Sequence, residues 1–208
     1  MSYQDILKLD IHTHIIPEHI PHWVEKFGYS GFIDLHHHAP CKAKMMIGDK
    51  FFREIGHNTW DAEVRIQECD MDGVDVQVLS TIPVLFNYWA KANDALETSM
   101  FFNDHIAKVV DKYPKRFIGL GTLPLQDPQL AIRELYRCMN ELGMAGIEIG
   151  SHINDWNLNE EELYPVFEEA DKLGAAIFVH PWDMMGANKM NKYWLPWLVG
   201  MPAETSLA

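Results

Sequence analysis

Apolar and polar positions alternate at period two through Leu9-Asp10-Ile11-His12-Thr13-His14-Ile15, the pattern of a β-strand. Its branched apolar content predicts a buried one. Side chains two apart on a strand share a face, so Asp10, His12 and His14 point one way and Leu9, Ile11, Thr13 and Ile15 the other. From Trp60 onward the pattern becomes a regular alternation of helix and strand. Asp61–Met71 sets Val64 and Ile66 among charges and stops at Gly73, which predicts a helix with a glycine stop. Val74–Ser80 is predicted as a strand, and a long helix follows from about Asn93 to Lys112, halted before Pro114. Phe117–Leu123 reads as the next strand. Asp127-Pro128 opens a helix with aspartate as N-cap and proline at the first helical position, and that helix stops at Gly143. Ala145–Ile149 is a strand, Glu160–Leu173 a helix closed by Gly174, and Ala175–His180 a strand.

Strands alternating with helices predict parallel βαβ units, hence an α/β fold. Doubly wound sheets and barrels share this order. No Gly-rich phosphate turn of the dinucleotide or P-loop type follows any strand. Chemistry in a parallel barrel sits at the C-terminal strand ends, where His12, His14 and His180 all fall. Residues 16–59 interrupt the alternation with Pro17, Pro21, Gly28, Gly31, Pro40, Gly48 and Gly56. They are expected to form an insertion within a single domain spanning 1–208, with short strands around Phe27–Leu35 and Lys50–Glu54. His36-His37-His38 lies inside it. Neighbouring side chains diverge, so the triplet is expected in a solvated loop or in local hydrogen bonds rather than on one ion.

Composition narrows the function classes. Hydrophobic residues make up 48% and charged ones 23%, as in soluble globular domains. With 17 basic and 30 acidic residues the net charge is −13, which speaks against nucleic acid as a partner. An anionic substrate would then need local arginines. No apolar run reaches the length of about 18 residues that a membrane span needs, so no membrane association is expected. MSYQDILKLD lacks the basic and apolar regions of a signal peptide. The three cysteines, Cys41, Cys69 and Cys138, form no C-x-x-C pair, so a reducing, cytosolic compartment is expected.

The candidate chemistry is metal binding. Two imidazoles on one strand face can direct ring nitrogens at one cation, although an isolated H-x-H is equally read as two hydrogen-bonded histidines. His180 shifts the balance. It ends the apolar run Ala176-Ile177-Phe178-Val179, with Pro181 behind it, and so adds a third imidazole at a strand end. Asp183 could add a carboxylate ligand or orient His180 from outside.

Asp10–His14, Val179–Met184 and the tryptophan-rich block Tyr193–Thr205, together with Leu79–Pro83 and Phe117–Pro124, resemble the aminocarboxymuconate-semialdehyde decarboxylases. These form a family within the amidohydrolase superfamily. The likeness runs from about residue 9 to the end, and the tryptophan-rich block is its most specific part. It implies a TIM-type (β/α) barrel, incomplete here at about five of eight strands, with a small insertion domain after strand one. It implies Zn2+ or another divalent transition metal held by His12, His14, His180 and an aspartate of strand eight. Arg53 falls where the family binds a substrate carboxylate, and Met184 and Trp197 where it lines the substrate pocket. The implied reaction is non-oxidative decarboxylation of 2-amino-3-carboxymuconate 6-semialdehyde, a small anionic substrate, to 2-aminomuconate 6-semialdehyde. That reaction belongs to tryptophan catabolism through kynurenine and limits quinolinate; the full-length family form is a homodimer. Strands six to eight, the metal aspartate, the general acid/base histidine and an arginine from across the dimer interface have no counterpart in these 208 residues. No catalytic residue is therefore identified within the chain, which is expected to be inactive alone. Two alternatives stay open: another metal-dependent hydrolase or decarboxylase of the superfamily, or a non-catalytic fragment that associates with full-length subunits.

Overall fold

The structure, a computed structural model, describes residues 6–208. The chain opens with β1 (Leu9–His14), then α1 (Trp23–Phe27), β2 (Ile33–Ala39), β3 (Lys42–Ile47) and β4 (Lys50–Gly56). The alternating part follows: α2 (Ala62–Asp72), β5 (Val76–Ser80), α3 (Ala92–Lys112), β6 (Phe117–Gly121), α4 (Pro128–Asn140) and β7 (Gly146–Gly150). A small hairpin, β8 (His152–Ile153) and β9 (Trp156–Asn157), precedes α5 (Tyr164–Leu173), β10 (Ala176–His180) and α6 (Met201–Leu207).

Local chemistry sets the helix ends. The Asp61 carboxylate accepts from the backbone N–H groups of Glu63 and Val64 to start α2, which Gly73 ends at φ 68°. Asp127 does the same for α4 through Gln129 and Leu130, with Pro128 in the first turn. The helix expected from Glu160 begins instead as a 3₁₀ turn over Glu161–Leu163, and α5 proper starts at Tyr164 with Pro165 in its first turn.

Five strands pair in the order β1-β5-β6-β7-β10, and every pairing is parallel. With helices along it, this sheet is half of a (β/α) barrel. On its helix-facing side Ile147 and Ile149 of β7 pack with Ala131 and Leu135 of α4 and Val166 and Ala170 of α5. Leu79 of β5 packs with Ile106 and Ala107 of α3, beside Phe117 and Cys138. Each large side chain buried this way contributes roughly 1.5–3 kcal/mol.

Two expectations change. β1 is not a buried strand: Leu9 is 45% and Ile11 59% exposed, because β1 is an edge strand paired only with β5. Its ladder also slips between Asp10 and Thr13, a bulge of the kind that re-aims side chains. The second change concerns residues 16–59. They carry a three-stranded antiparallel sheet, β2-β3-β4, whose Ile33, Ala43, Met45 and Ile55 pack on Ile16, Trp60, Leu85 and Phe102. Phe27 ends a helix rather than starting a strand, since Gly28 at φ 79° stops α1 there. His36–His38 lie in β2, not in a loop. His37 Nε2 is 2.7 Å from the Glu18 carbonyl, and His38 Nε2 is 3.1 Å from the Glu54 carboxylate.

β7 and β10 approach too closely at Gly146 for any side chain. A Cβ there would collide with the Ala176 carbonyl and stand 2.6 Å from its nitrogen. Gly146→Ala should therefore cost about 2–4 kcal/mol in urea denaturation, against about 1 kcal/mol for loss of the Asp127 cap in Asp127→Ala.

Candidate metal centre

The concave side of the sheet collects side chains from three of its strands. His12 and His14 of β1 have ring centroids 5.1 Å apart. His180, the last residue of β10, stands 4.8 Å from His12 and 5.2 Å from His14. β1 and β10 are opposite edges of the sheet, and its curvature turns them to face each other. The His12 ring also meets Phe178 of β10, at 5.2 Å. A fourth group joins them from β7: Glu148, with no accessible surface. One ligand atom each of His12, His14, Glu148 and His180 lies within 4.8 Å of the others.

Hydrogen bonds fix these side chains from behind. Ser80 Oγ donates to the Thr13 carbonyl (3.1 Å) and so receives His14 Nδ1–H at 3.1 Å. His180 Nδ1–H donates to the Pro181 carbonyl at 2.7 Å. In both rings that choice leaves Nε2 as the free lone pair. Arg65 Nη2 donates to the carbonyls of His14 (2.6 Å) and Asn58 (2.7 Å), anchoring the end of β1. Its Nη1 donates to Gln77 Oε1 (3.3 Å), and Gln77 Nε2 donates to Asp10 (3.2 Å). Asp10 thus belongs to this bracing chain and not to the cluster, even though strand alternation puts it on the histidine face.

Burial, reinforced by the nearby His180 and His12 rings, lowers His14 to about 3. Burial also lowers His180, against the bond to Pro181. Both rings are therefore neutral at physiological pH, with lone pairs available. Burial lifts the Glu148 carboxyl to about 8, against the pull of the neighbouring Ser80 hydroxyl. Among the described residues neither Glu148 oxygen has a hydrogen-bond partner of ordinary geometry, the Ser80 hydroxyl being committed to the Thr13 carbonyl. An orphaned carboxyl facing neutral imidazoles is costly as it stands and is compensated by a cation. The donor set therefore fits a divalent transition metal, for which neutral imidazole and carboxylate are ordinary ligands.

The other residues singled out in the sequence lie elsewhere. Asp183 is exposed at φ 41° and outside the cluster; the carboxylate that joins the histidines is Glu148. Arg53 is exposed on β4, with its guanidinium 5.8 Å from the Phe52 ring. Met184 is half-buried in the segment after β10, against Gly200. Trp197, 49% exposed, sits 5.2 Å from Trp194, in a helical turn over Pro196–Gly200. Buried Glu204 of α6 secures this end of the chain, accepting from Met185 N (3.0 Å) and Ser151 Oγ (3.2 Å). His152 braces the same region: Nδ1 lies 2.9 Å from the Asn154 carbonyl and Nε2 3.0 Å from that of Trp182. Glu148 escaped the sequence reading. Its signal was there, a lone acid in Gly146-Ile147-Glu148-Ile149-Gly150, where an unpaired charge is expensive.

Parallel strands that deliver three imidazoles and a carboxylate to their C-terminal ends define a metal-binding α/β barrel architecture. The chain belongs to the amidohydrolase family, which matches residues 9–207. It is 60% identical over 97% of its length to the 2-amino-3-carboxymuconate-6-semialdehyde decarboxylase of Dictyostelium discoideum, and spans 56% of that protein. Its fold matches the IDCase of Metarhizium anisopliae with a TM-score of 0.82 at 20% identity, over 100% of this chain and 61% of that one. A manganese-bound dihydroxybenzoic acid decarboxylase from Polaromonas gives a TM-score of 0.69 at 24% identity, over 96% of this chain and 58% of that one.

The shifts set opposite pH dependences for the metal-free protein. Glu148 is raised from 4.5 to about 8, so the unfolded chain ionises first and stability falls as pH rises through that window. His14 is lowered from 6.5 to about 3, so the unfolded chain protonates first and stability falls as pH drops below 6.5. Chemical denaturation across both windows should show Glu148→Gln removing the alkaline-side loss and His14→Gln reducing the acid-side one.

Proposed function

We propose that this chain carries the metal-binding part of a non-oxidative decarboxylase that converts 2-amino-3-carboxymuconate 6-semialdehyde to 2-aminomuconate 6-semialdehyde. The observation that carries this is the convergence of His12, His14, His180 and Glu148 within 4.8 Å, in a chain 60% identical to a decarboxylase of that name. The reaction places the protein in tryptophan catabolism through kynurenine, where it limits quinolinate, and its setting is the cytosol as a homodimer. The ion is zinc; manganese, which the Polaromonas decarboxylase binds, is the runner-up.

A bound divalent ion supplies a Lewis acid and an acidified water at neutral pH. The chain's own residues do the rest. His12, His14 and His180 would hold the ion through their ring nitrogens. Arg65 and Ser80 keep the β1 rings aimed inward through the His14 carbonyl and Nδ1. Arg53, which makes no salt bridge among the described residues, clamps a substrate carboxylate by charge-assisted bonds. Met184 and Trp197 line the apolar side of the pocket.

The test uses this chain joined to the remaining length of the Dictyostelium relative, loaded with Zn2+ or Mn2+. Loss of the semialdehyde with release of carbon dioxide is expected, and His180→Ala should abolish it. Arg53→Ala should raise KM about 10–100-fold with kcat largely kept, since a charged hydrogen bond contributes roughly 1.5–3 kcal/mol. Turnover of hydroxybenzoates but not of the semialdehyde would overturn the substrate assignment, and an unchanged KM in Arg53→Ala would remove the clamp.

A further inference from the structure

Two half-buried arginines are used in opposite ways. Arg137 on α4 is closed by carboxylates, Glu134 at 2.8 Å and Asp104 at 2.6 Å. Arg65 on α2 makes no salt bridge among the described residues, and its Nη2 goes to main-chain oxygens instead. Those oxygens stand where residues 16–59 leave the sheet and return to it. Nη2 donates to the carbonyl of His14, the last residue of β1, at 2.6 Å and to that of Asn58, on the returning segment, at 2.7 Å. The two segments are joined directly by the Ile16 N–H, which donates to the Thr59 carbonyl at 3.0 Å. Glu68, three residues beyond Arg65 and so on the same face of α2, accepts from the Asn58 side-chain amide at 3.0 Å. One helix face therefore grips both ends of the insertion. The apolar contacts of β2–β4 with Ile16, Trp60, Leu85 and Phe102 hold the insertion down but are non-directional. The bonds from the guanidinium are directional.

We propose that Arg65 is a positioning residue that clamps the neck of the insertion and so fixes Arg53 and the β1 imidazoles relative to each other. The proposal rests on the decarboxylase reading above and adds how its substrate-binding and metal-binding parts are kept in register. β4, which carries Arg53, runs into the segment whose Asn58 carbonyl Arg65 holds. The other carbonyl belongs to His14, a member of the metal cluster. A planar guanidinium reaches both carbonyls and Gln77, at 3.3 Å, together. A lysine ammonium in its place is a point charge without that fork.

The experiment compares amide hydrogen exchange of the metal-free 208-residue chain in wild type, Arg65→Met, Arg65→Lys and Arg137→Met, the last deleting a guanidinium remote from the neck. In Arg65→Met the Ile16 amide should exchange at least about tenfold faster while amides of β6 and β7 keep their wild-type rates, the mark of local rather than global opening. Arg65→Lys should fall between, and Arg137→Met should leave the Ile16 amide at its wild-type rate. Zn2+ affinity, read by competition with a chromophoric chelator, should drop about 10–100-fold in Arg65→Met, as for other outer supports of metal ligands, and hold in Arg137→Met. In the chain joined to the remaining length of the Dictyostelium relative, with Zn2+ saturating, Arg65→Met should raise KM for the semialdehyde. That rise should vanish in an Arg53→Ala background, because Arg65 reaches the substrate through Arg53. Faster exchange spread evenly over the whole sheet, or an unchanged Ile16 amide, would overturn the clamp. A freed neck with wild-type Zn2+ affinity and KM would overturn the coupling it is held to provide. If wild type bound Zn2+ but left the semialdehyde unconsumed, while the exchange and affinity shifts appeared, the substrate reading would fall and the clamp on the metal centre would stand.

Discussion

Burying polar groups on the concave side of a curved parallel sheet is the constraint on which the rest of this structure depends. His14, Glu148 and His180 lose most of their contact with water there, and each unsatisfied polar group costs about 1–3 kcal/mol. Burial has made both histidines neutral and pushed the acid toward its protonated form. The surface that offsets this lies on the sheet's other side, where Ile147, Ile149 and Leu79 pack against α3, α4 and α5. Period-two alternation makes the two faces of one strand do opposite things. In β7 the isoleucines stabilise the fold while the glutamate between them serves the site.

The bracing around the cluster follows from the same constraint. Rings that must present one nitrogen to a cation need the other nitrogen held, and Ser80 and the Pro181 carbonyl do this for His14 and His180. Arg65 fixes the backbone beyond the β1 bulge through two carbonyls and extends through Gln77 to Asp10. These contacts link α2, β5 and β1, so the site is tied to the barrel half rather than perched on loops.

The edges show the opposite condition. Leu9 and Ile11 on β1 and Ile177 on β10 are exposed, as are Tyr193, Trp194 and Leu198 beyond it. Exposed apolar side chains on unpaired strand edges favour association with further strands. The same two edge strands contribute the three imidazoles, so whatever covers the edges also borders the metal centre.

The sequence by itself determined the order of the alternating helices and strands between residues 60 and 180, and their limits to within a few residues. Caps at Asp61 and Asp127, stops at Gly73 and Gly174 and the period-two runs are local signals, each readable without knowing what lies across the fold. It also marked His12, His14 and His180, because polar rings at the ends of apolar strands are conspicuous. Tertiary structure decided the rest. The exposure of β1 depends on its place at the edge of the sheet, which no pattern within residues 9–14 encodes. His36–His38 became strand residues because β3 supplied a partner ladder. Asp183 was the carboxylate within the chain that the sequence offered beside the histidines, and Glu148 was not singled out. Only sheet curvature brought β1 round to face the neighbouring strands β7 and β10, with Asp10 turned to Gln77 and Asp183 left in solvent. Which acid meets the imidazoles is a property of long-range packing, and local sequence carries no record of it.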